Sequence, residues 1–159
     1  MKQFDHEKLK VYQEAIRFVS WLNIILVNIK KERSPVPLTE IVNQQDRASI
    51  SIVLNIAEGN GRRQMKQRIK FFDDARGSAT ECAACPDILV AKGILPIDEI
   101  KDGKVLLLSV VSMLSRLIGY FENKFSLDED SADYHPNSDE EVGEEVGDEA
   151  GDEAGDEVG

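Results

Sequence analysis

Six cations fall within fifteen residues: Arg62, Arg63, Lys66, Arg68, Lys70 and Arg76, set against only Asp73 and Asp74. Arginine and lysine at this density suit phosphate, which accepts charge-assisted hydrogen bonds and offsets the repulsion among the cations. The turn before them reads Gly59-Asn60-Gly61. Arg62 and Arg63 are therefore expected at a helix N-terminus, where the macrodipole is already positive. Cations crowded there call for an anion, and backbone phosphate is the obvious one. Upstream, Gln44, Arg47, Ser51, Asn55 and Glu58 recur at steps of three and four, which lines them on one helix face. Arginine and amides so arranged suit phosphates and base edges. A solvated or interfacial face with internal hydrogen bonds has the same pattern.

Other chemistry finds less material. Cys82-Ala-Ala-Cys85 is a C-x-x-C. Redox use wants a strand before it and a helix N-terminus at the first cysteine, to depress the thiol pKa. Cys82 lies deep in a helical pattern instead, so the pair reads as small buried hydrophobes. Zinc wants four ligands, and the histidines, His6 and His135, are remote. There is no Ser/His/Asp set with usable spacing and no G-x-x-x-x-G-K phosphate loop. His6 and Glu58 could form an acid/base pair, but nothing brings them together. The expectation is a protein without metal or cofactor, and not an enzyme.

The elements that position these residues read as helices. The first is expected from about Asp5 to Lys31, with Leu9, Tyr12, Ile16, Val19 and Leu26 on one face. Phe18, Leu22, Ile25 and Ile29 form a second, adjacent stripe. Ser34-Pro35-Val36-Pro37 ends it. The second runs from Thr39, as N-cap, to Glu58, with Ile41, Ala48, Ile52 and Ile56 inward. Gly59 and Gly61 are expected to supply the positive φ of a C-cap and turn. The third runs from Gln64 to Ala91 with Phe72, Ala75, Ala79 and Cys82 as its stripe. Pro86 should kink or split it. The fourth runs from Ile97 to Lys124, where Leu107, Val110, Leu114, Leu117 and Phe121 step by three and four and Leu108, Val111 and Ile118 widen the face. Such helices, joined by short turns, make an all-α, antiparallel up-down four-helix bundle. The first and fourth carry apolar faces too wide for one seam, which points to a homo-oligomer.

The 159 residues carry a net charge of −11 and a mean hydropathy of −0.31, but the average misleads. No Lys or Arg follows Lys124, and 15 of the 30 acidic residues follow Leu127. Residues 1–126 hold 19 Lys and Arg against 15 Asp and Glu, a net +4. They are expected to be the folded domain, and 127–159 a disordered acidic tail. The tail ends in five Glu/Asp-rich tetrads, each closed by Gly, a composition that cannot bury enough apolar surface to fold. A tail of that length and charge can reach the basic third helix. The opening, MKQFDHEKLK, has no apolar run, and Val105–Phe121 falls short of a membrane span. The default compartment is the cytoplasm, with reduced thiols and no membrane partner.

Residues 44–62, QQDRASISIVLNIAEGNGR, resemble a family signature. Its pattern, Q-L-x-R-A-x-x-S-I-x-x-N-I-A-E-G-x-G-R, is similar at Gln44, Arg47, Ala48, Ser51, Ile52, Asn55, Ile56, Ala57, Glu58, Gly59, Gly61 and Arg62. Phe71 or Phe72, Ala75, Gly77-Ser78 and Glu81 extend the likeness downstream, and Phe4, Leu9, Tyr12 and Ala15 extend it upstream. The family is the bacterial four-helix bundle named for the intervening sequence of 23S ribosomal RNA. It is related to the accessory variability determinant of diversity-generating retroelements. The resemblance implies a bundle assembled as a homopentamer, with a basic surface for nucleic acid and, in the retroelement relative, a reverse transcriptase as partner. It also implies structural roles for Gln44, Ser51, Asn55, Glu58, Gly59 and Gly61. The chain departs from the pattern at Gln45-Asp46, which replace an apolar-basic pair, at Pro86, and in its acidic tail.

Together these readings lead to a non-enzymatic oligomeric bundle that binds RNA or DNA. Arg47, Arg62, Arg63, Lys66, Arg68 and Lys70 are the expected phosphate contacts. The alternative is a scaffold that docks a partner protein and uses its charges only for solubility.

Overall fold

The computed structural model describes residues 2–31 and 38–132. The tail after Ala132 and the Ser34–Pro37 turn lie outside the described residues. A 3-10 turn, η1 (Asp5–Lys8), precedes helices α1 (Lys10–Lys31), α2 (Thr39–Gly61), α3 (Met65–Ala91) and α4 (Ile97–Ala132). No strand occurs among the described residues.

Each helix packs on two others, α1 on α2 and α4, and α3 on α2 and α4, which closes a four-membered ring. Paired positions show antiparallel neighbours. Gln45 meets Cys82 and Ser51 meets Ser78 across α2/α3, while Trp21 meets Gly103 across α1/α4. Phe72 stacks with Phe121 across α3/α4. The fold is the expected up-down bundle. By length and composition alone the Ile97–Leu127 stretch of α4 could cross a bilayer, its apolar 18-residue window having a mean hydropathy of 1.6. Its inner residues Ile100, Leu107, Val110 and Leu114 are core of the bundle.

The expected stripes of α3 and α4 are largely the buried ones. Phe72, Ala75, Ala79 and Cys82 are buried, as are Leu107, Val110 and Leu114. Leu108 is 69% exposed and so widens no inner face. In α1 the core face is Val11, Ala15, Phe18, Leu22, Leu26 and Ile29, and Ile16 lies outside it. The α-helix starts at Lys10 rather than Asp5, because the Phe4 N–H bonds the Glu7 carboxylate and closes a 3-10 turn first. Thr39 is the first helical residue, and the cap position is Leu38, which has no side chain to bond the helix. α4 runs to Ala132, so the first residues assigned to the tail, 127–132, have helical backbone.

Pro86 neither splits nor ends α3, which is continuous from Met65 to Ala91. A proline four residues on leaves the Cys82 carbonyl without its helical N–H. That carbonyl is buried, so it needs a donor from elsewhere. Gln45 supplies one from α2, its amide donating to the Cys82 oxygen at 3.2 Å. In return the Cys82 thiol points at the Gln45 carbonyl at 3.9 Å. Gln45 is 1% exposed, a buried amide where the helical stripe predicts an apolar side chain. Gln45 and Pro86, two separate departures from the family pattern, are one structural unit.

Two glycines set how closely helices approach. A Cβ on Gly59 would lie 2.9 Å from Cε1 of the buried Phe72 and 3.1 Å from Cβ of Phe71. A Cβ on Gly103 would lie 2.2 Å from Trp21 Cη2. Neither contact is attainable without moving an aromatic ring. Gly93, after α3, is the described glycine with positive φ, at 69°. The expected positive φ at Gly59 and Gly61 is therefore corrected. Both remain helical; Gly59 is required by packing, and a Cβ on Gly61 would meet nothing within 4 Å.

The Gln45–Pro86 coupling is measurable. Gln45→Leu should destabilise the chain more when residue 86 is Pro than in a Pro86→Ala background, where the Cys82 carbonyl recovers a helical donor. A double-mutant cycle read by denaturant unfolding should give a coupling of about 1 kcal/mol. Additive effects would remove the link between the two residues.

Candidate nucleic-acid interface

The polar stripe of α2 faces α3. Ser51 and Ser78 share a hydrogen bond at 2.9 Å, and the Asn55 amide donates to Ser51 Oγ at 3.0 Å. Ser78 also donates to the Asp74 carbonyl. Farther along, the Gln44 amide donates to the Glu81 carboxylate, and Arg47 donates to Gln44 Oε1 at 2.8 Å. Gln44 and Ser51 thus bond across the α2/α3 seam, and Asn55 supports Ser51 from within α2. Base edges would have to displace these bonds. Arg47, at the outer end, is exposed. It lies fifteen residues from Arg62 on the same helix, about 22 Å away at 1.5 Å per residue. It is therefore not part of the cluster below.

The α2/α3 corner gathers the other cations. Arg62 is the C-cap residue of α2. This corrects the expected placement, because a helix C-terminus carries negative charge and favours a cation. Arg62 also pairs with Glu58 and stacks on the Phe71 ring at 4.9 Å. Its Nε is buried without a hydrogen-bond partner.

Arg68 turns toward the end of α2. Its guanidinium donates to the Gly59 carbonyl at 3.2 Å, the Asn60 carbonyl at 3.2 Å and the Arg62 carbonyl at 2.6 Å. Its far face covers Phe121 at 5.0 Å. The last carbonyls of a helix have no intrahelical partner, and Arg68 reaches back from α3 to satisfy those of α2. Through these bonds it clamps the corner. No short-range pattern marks it, because a donor six to nine residues away is defined only by the turn.

What remains outward is Arg63, Lys66 and Lys70. Arg63 is exposed and has no hydrogen-bond or ion-pair partner in the described structure. Lys66 lies over the Phe125 ring of α4 at 4.7 Å, holding its ammonium at the α3/α4 edge. Lys70 faces Asp74 at a loose 4.0 Å, with 75% of its side chain exposed. Below them opens a groove of about 390 Å³ between α3 and α4, whose walls include Lys66, Lys70, Asp73, Arg76 and Glu122. Arg76 is held by Asp73 at 2.6 Å. The arrangement is electrostatic and exposed, suited to a flexible polyanion and not to a small buried substrate.

The C-x-x-C pair carries no reactive thiol. Burial pushes the Cys82 thiol up to about 12, with neighbouring Cys85 and Glu81 adding to the rise. Cys85 is raised for the same first reason, burial, and then by Glu81. No group of three or more His, Cys, Asp or Glu that could hold a metal is found among the described residues.

Two outcomes follow. Arg68→Gln should cost about 1–3 kcal/mol in thermal or denaturant unfolding, since it strands buried carbonyls, while Arg63→Gln should change stability by less than about 0.5 kcal/mol. Equal effects would return Arg68 to the exposed set. The raised thiols hold their stabilising contribution below the unfolded thiol pKa of about 8.5. They lose it as pH climbs toward the folded value of about 12 at Cys82. A Cys82→Ala variant should flatten the alkaline limb of the stability–pH curve, and native Cys82 should resist iodoacetamide at pH 8 until the chain unfolds.

The family model described as 23S rRNA-intervening sequence protein matches residues 7–116, from η1 into α4. No curated protein matches the chain. The matched span contains the α2/α3 corner, the seam hydrogen bonds and the Asn55–Gly59 run that closes α2. The chain belongs to the family of 23S rRNA-intervening sequence proteins.

Proposed function

We propose that this protein is a non-enzymatic, oligomeric helical bundle of the cytoplasm that binds nucleic acid, RNA first, through the corner between α2 and α3. The observation that carries the reading is the exposure of Arg63, Lys66 and Lys70 around one corner while Arg68 is turned inward to hold it. Cations grouped along one edge attract the phosphates of a strand, and their contribution is independent of sequence. Membership of a family named for ribosomal RNA supports RNA over DNA. Arg47 adds a separate contact along α2.

Oligomerisation belongs to the same proposal. Ile24 at 62%, Leu54 at 62%, Val105 at 67% and Leu108 at 69% exposed are large apolar side chains on α1, α2 and α4 with little to cover them. Apolar faces of this kind are covered in solution by another subunit. A ring of five, as the family resemblance implies, would repeat the basic corner five times and add avidity for a long strand.

Binding of single-stranded RNA across a salt series tests the first part. The affinity should fall steeply with salt, and the combined change Arg63→Gln, Lys66→Gln and Lys70→Gln should weaken all sequences alike and flatten the log–log slope by up to about three. Unchanged affinity with an intact fold would place the contact elsewhere. No binding at about 50 mM salt would favour a protein-docking scaffold. Light scattering on the full chain should give a multiple of the 17.8 kDa subunit mass, and a monodisperse monomer at micromolar concentration would end the oligomer.

A further inference from the structure

Leu9, Lys10 and Val11, where η1 passes into α1, line a slot with Met113, Arg116 and Leu117 of α4. Phe121, one turn farther along α4, stacks with Phe72 of α3. The start of α1 is thus in the half of the bundle that holds the start of α3 and the end of α2. η1 itself packs on both α1 and α2. This places the turn from Phe4 to Lys8 in the same half as the exposed Arg63.

Three rings, Tyr12, His6 and Phe4, are built in series at that turn. Tyr12 is half-buried and packs on the hydrophobic core. The His6 ring meets Tyr12 edge-on, 4.9 Å between centroids and 65° between planes. Phe4 lies nearly parallel to His6, at 5.7 Å and 12°. Both separations are those of attractive ring pairs. The series stops at Phe4, which at 73% is the most exposed large hydrophobic among the described residues. Its backbone is fixed as well. The Phe4 N–H donates to Glu7 Oε2 at 2.6 Å, and the Glu7 N–H donates back to the Phe4 carbonyl at 3.1 Å. The Gln13 amide donates to the Glu7 carbonyl at 2.9 Å and ties the turn to α1. A single exposed phenylalanine needs no explanation, but this one is held in place with an open face. A second flat group settling on it orders little that is not already ordered.

The charges around the turn say what that group carries. The acids are occupied: Asp5 pairs with Lys8 at 2.8 Å, and Glu7 accepts the Phe4 N–H. Lys10 and Arg116, on the rim of the slot, are exposed, and neither side chain has a partner among the described residues. A flat aromatic group on an anionic backbone fits an open ring among cations, and a nucleotide strand is such a ligand. We propose that Phe4 is a stacking platform for an unpaired nucleobase, so that this half of the bundle takes single-stranded nucleic acid. The platform rests on the nucleic-acid reading above and narrows it. Cations alone attract any polyanion, whereas a duplex keeps its base faces within its own stack and offers none to Phe4. Every base has such a face, so the platform adds strand selectivity without sequence selectivity.

The test compares the full chain with Phe4→Leu, which keeps an apolar side chain but removes the ring, and with Phe4→Trp, which enlarges the ring. The probes, about ten nucleotides long, are single-stranded oligoadenylate, the same backbone with abasic sugars, and an RNA duplex. Phe4→Leu should bind oligoadenylate about tenfold more weakly at every salt concentration, with the log–log salt slope unchanged, because stacking releases no counterions. Its affinity for the abasic strand and for the duplex should equal that of the native chain. Phe4→Trp should bind oligoadenylate at least as tightly as the native chain. Equal oligoadenylate affinity for the native chain and Phe4→Leu overturns the platform and leaves the cation corner standing. A loss of the same size on the abasic strand also overturns it, since the ring would then act on the fold and not on a base. If the native chain binds none of the probes at about 50 mM salt, the nucleic-acid reading falls and the platform falls with it.

Discussion

A proline in the middle of a packed helix leaves one carbonyl that must find a donor, and the α2/α3 seam of this chain meets that need. Pro86 frees the Cys82 oxygen at the buried seam of α3, where water cannot serve it. The donor comes from α2. Gln45 has the right length, and it must be buried to reach. Once it is there, the registers of α2 and α3 are set. A shift of one turn would leave the Gln45 amide nitrogen and the Cys82 carbonyl unpaired in a low-dielectric interior, beside a Gln45 Oε1 that already has no partner. The Ser51–Ser78 bond and the Gly59–Phe72 contact occupy the same register farther up the seam. The three contacts span fourteen residues of α2, so the hairpin is held along its length rather than at its turn.

The turn depends on that alignment. With Gly59 against Phe72, the end of α2 comes close enough for Arg68 to reach three of its carbonyls. The guanidinium is partly removed from water by Phe121, which strengthens its hydrogen bonds. One cation turned inward keeps the corner compact, and its neighbours are presented outward as a result. The charge cluster is thus two populations with different work. Arg62 and Arg68 stabilise the chain reversal, and Arg63, Lys66 and Lys70 face solvent.

Much of this was open to reading from the chain alone. The helix count, the α3 stripe from Phe72 to Cys82 and the α4 stripe from Leu107 to Leu114 follow from local periodicity, which depends only on residue type and spacing. The family signature located the α2/α3 corner for the same reason. Gln45 was not legible as a core residue. Its burial answers a vacancy created 41 positions away, and periodicity carries no information about vacancies. Gly59 reads as a turn glycine by its place in the chain, yet its role is to admit Phe72, which only the interhelical distance reveals. Arg68 sits in a basic run and is indistinguishable there from Lys66 or Lys70. What separates them is whether a carbonyl lies within reach, a property of the folded turn.

The slot at Gly103 has a consequence of another kind. Trp21, the single tryptophan of the chain, rests its ring against the α4 backbone there and stacks on Phe18 at 5.7 Å between centroids. Both of these contacts lie within the α1/α4 pair. Indole fluorescence therefore reports the seating of the tryptophan in the α1/α4 slot, while far-ultraviolet circular dichroism sums all four helices. The two signals divide the molecule along the line between its closing pair and its basic hairpin. Coincident melting curves mean that the hairpin's polar register and the α1/α4 slot are lost as one cooperative unit. A dichroism loss that precedes the indole change means that the hairpin opens while the tryptophan is still seated.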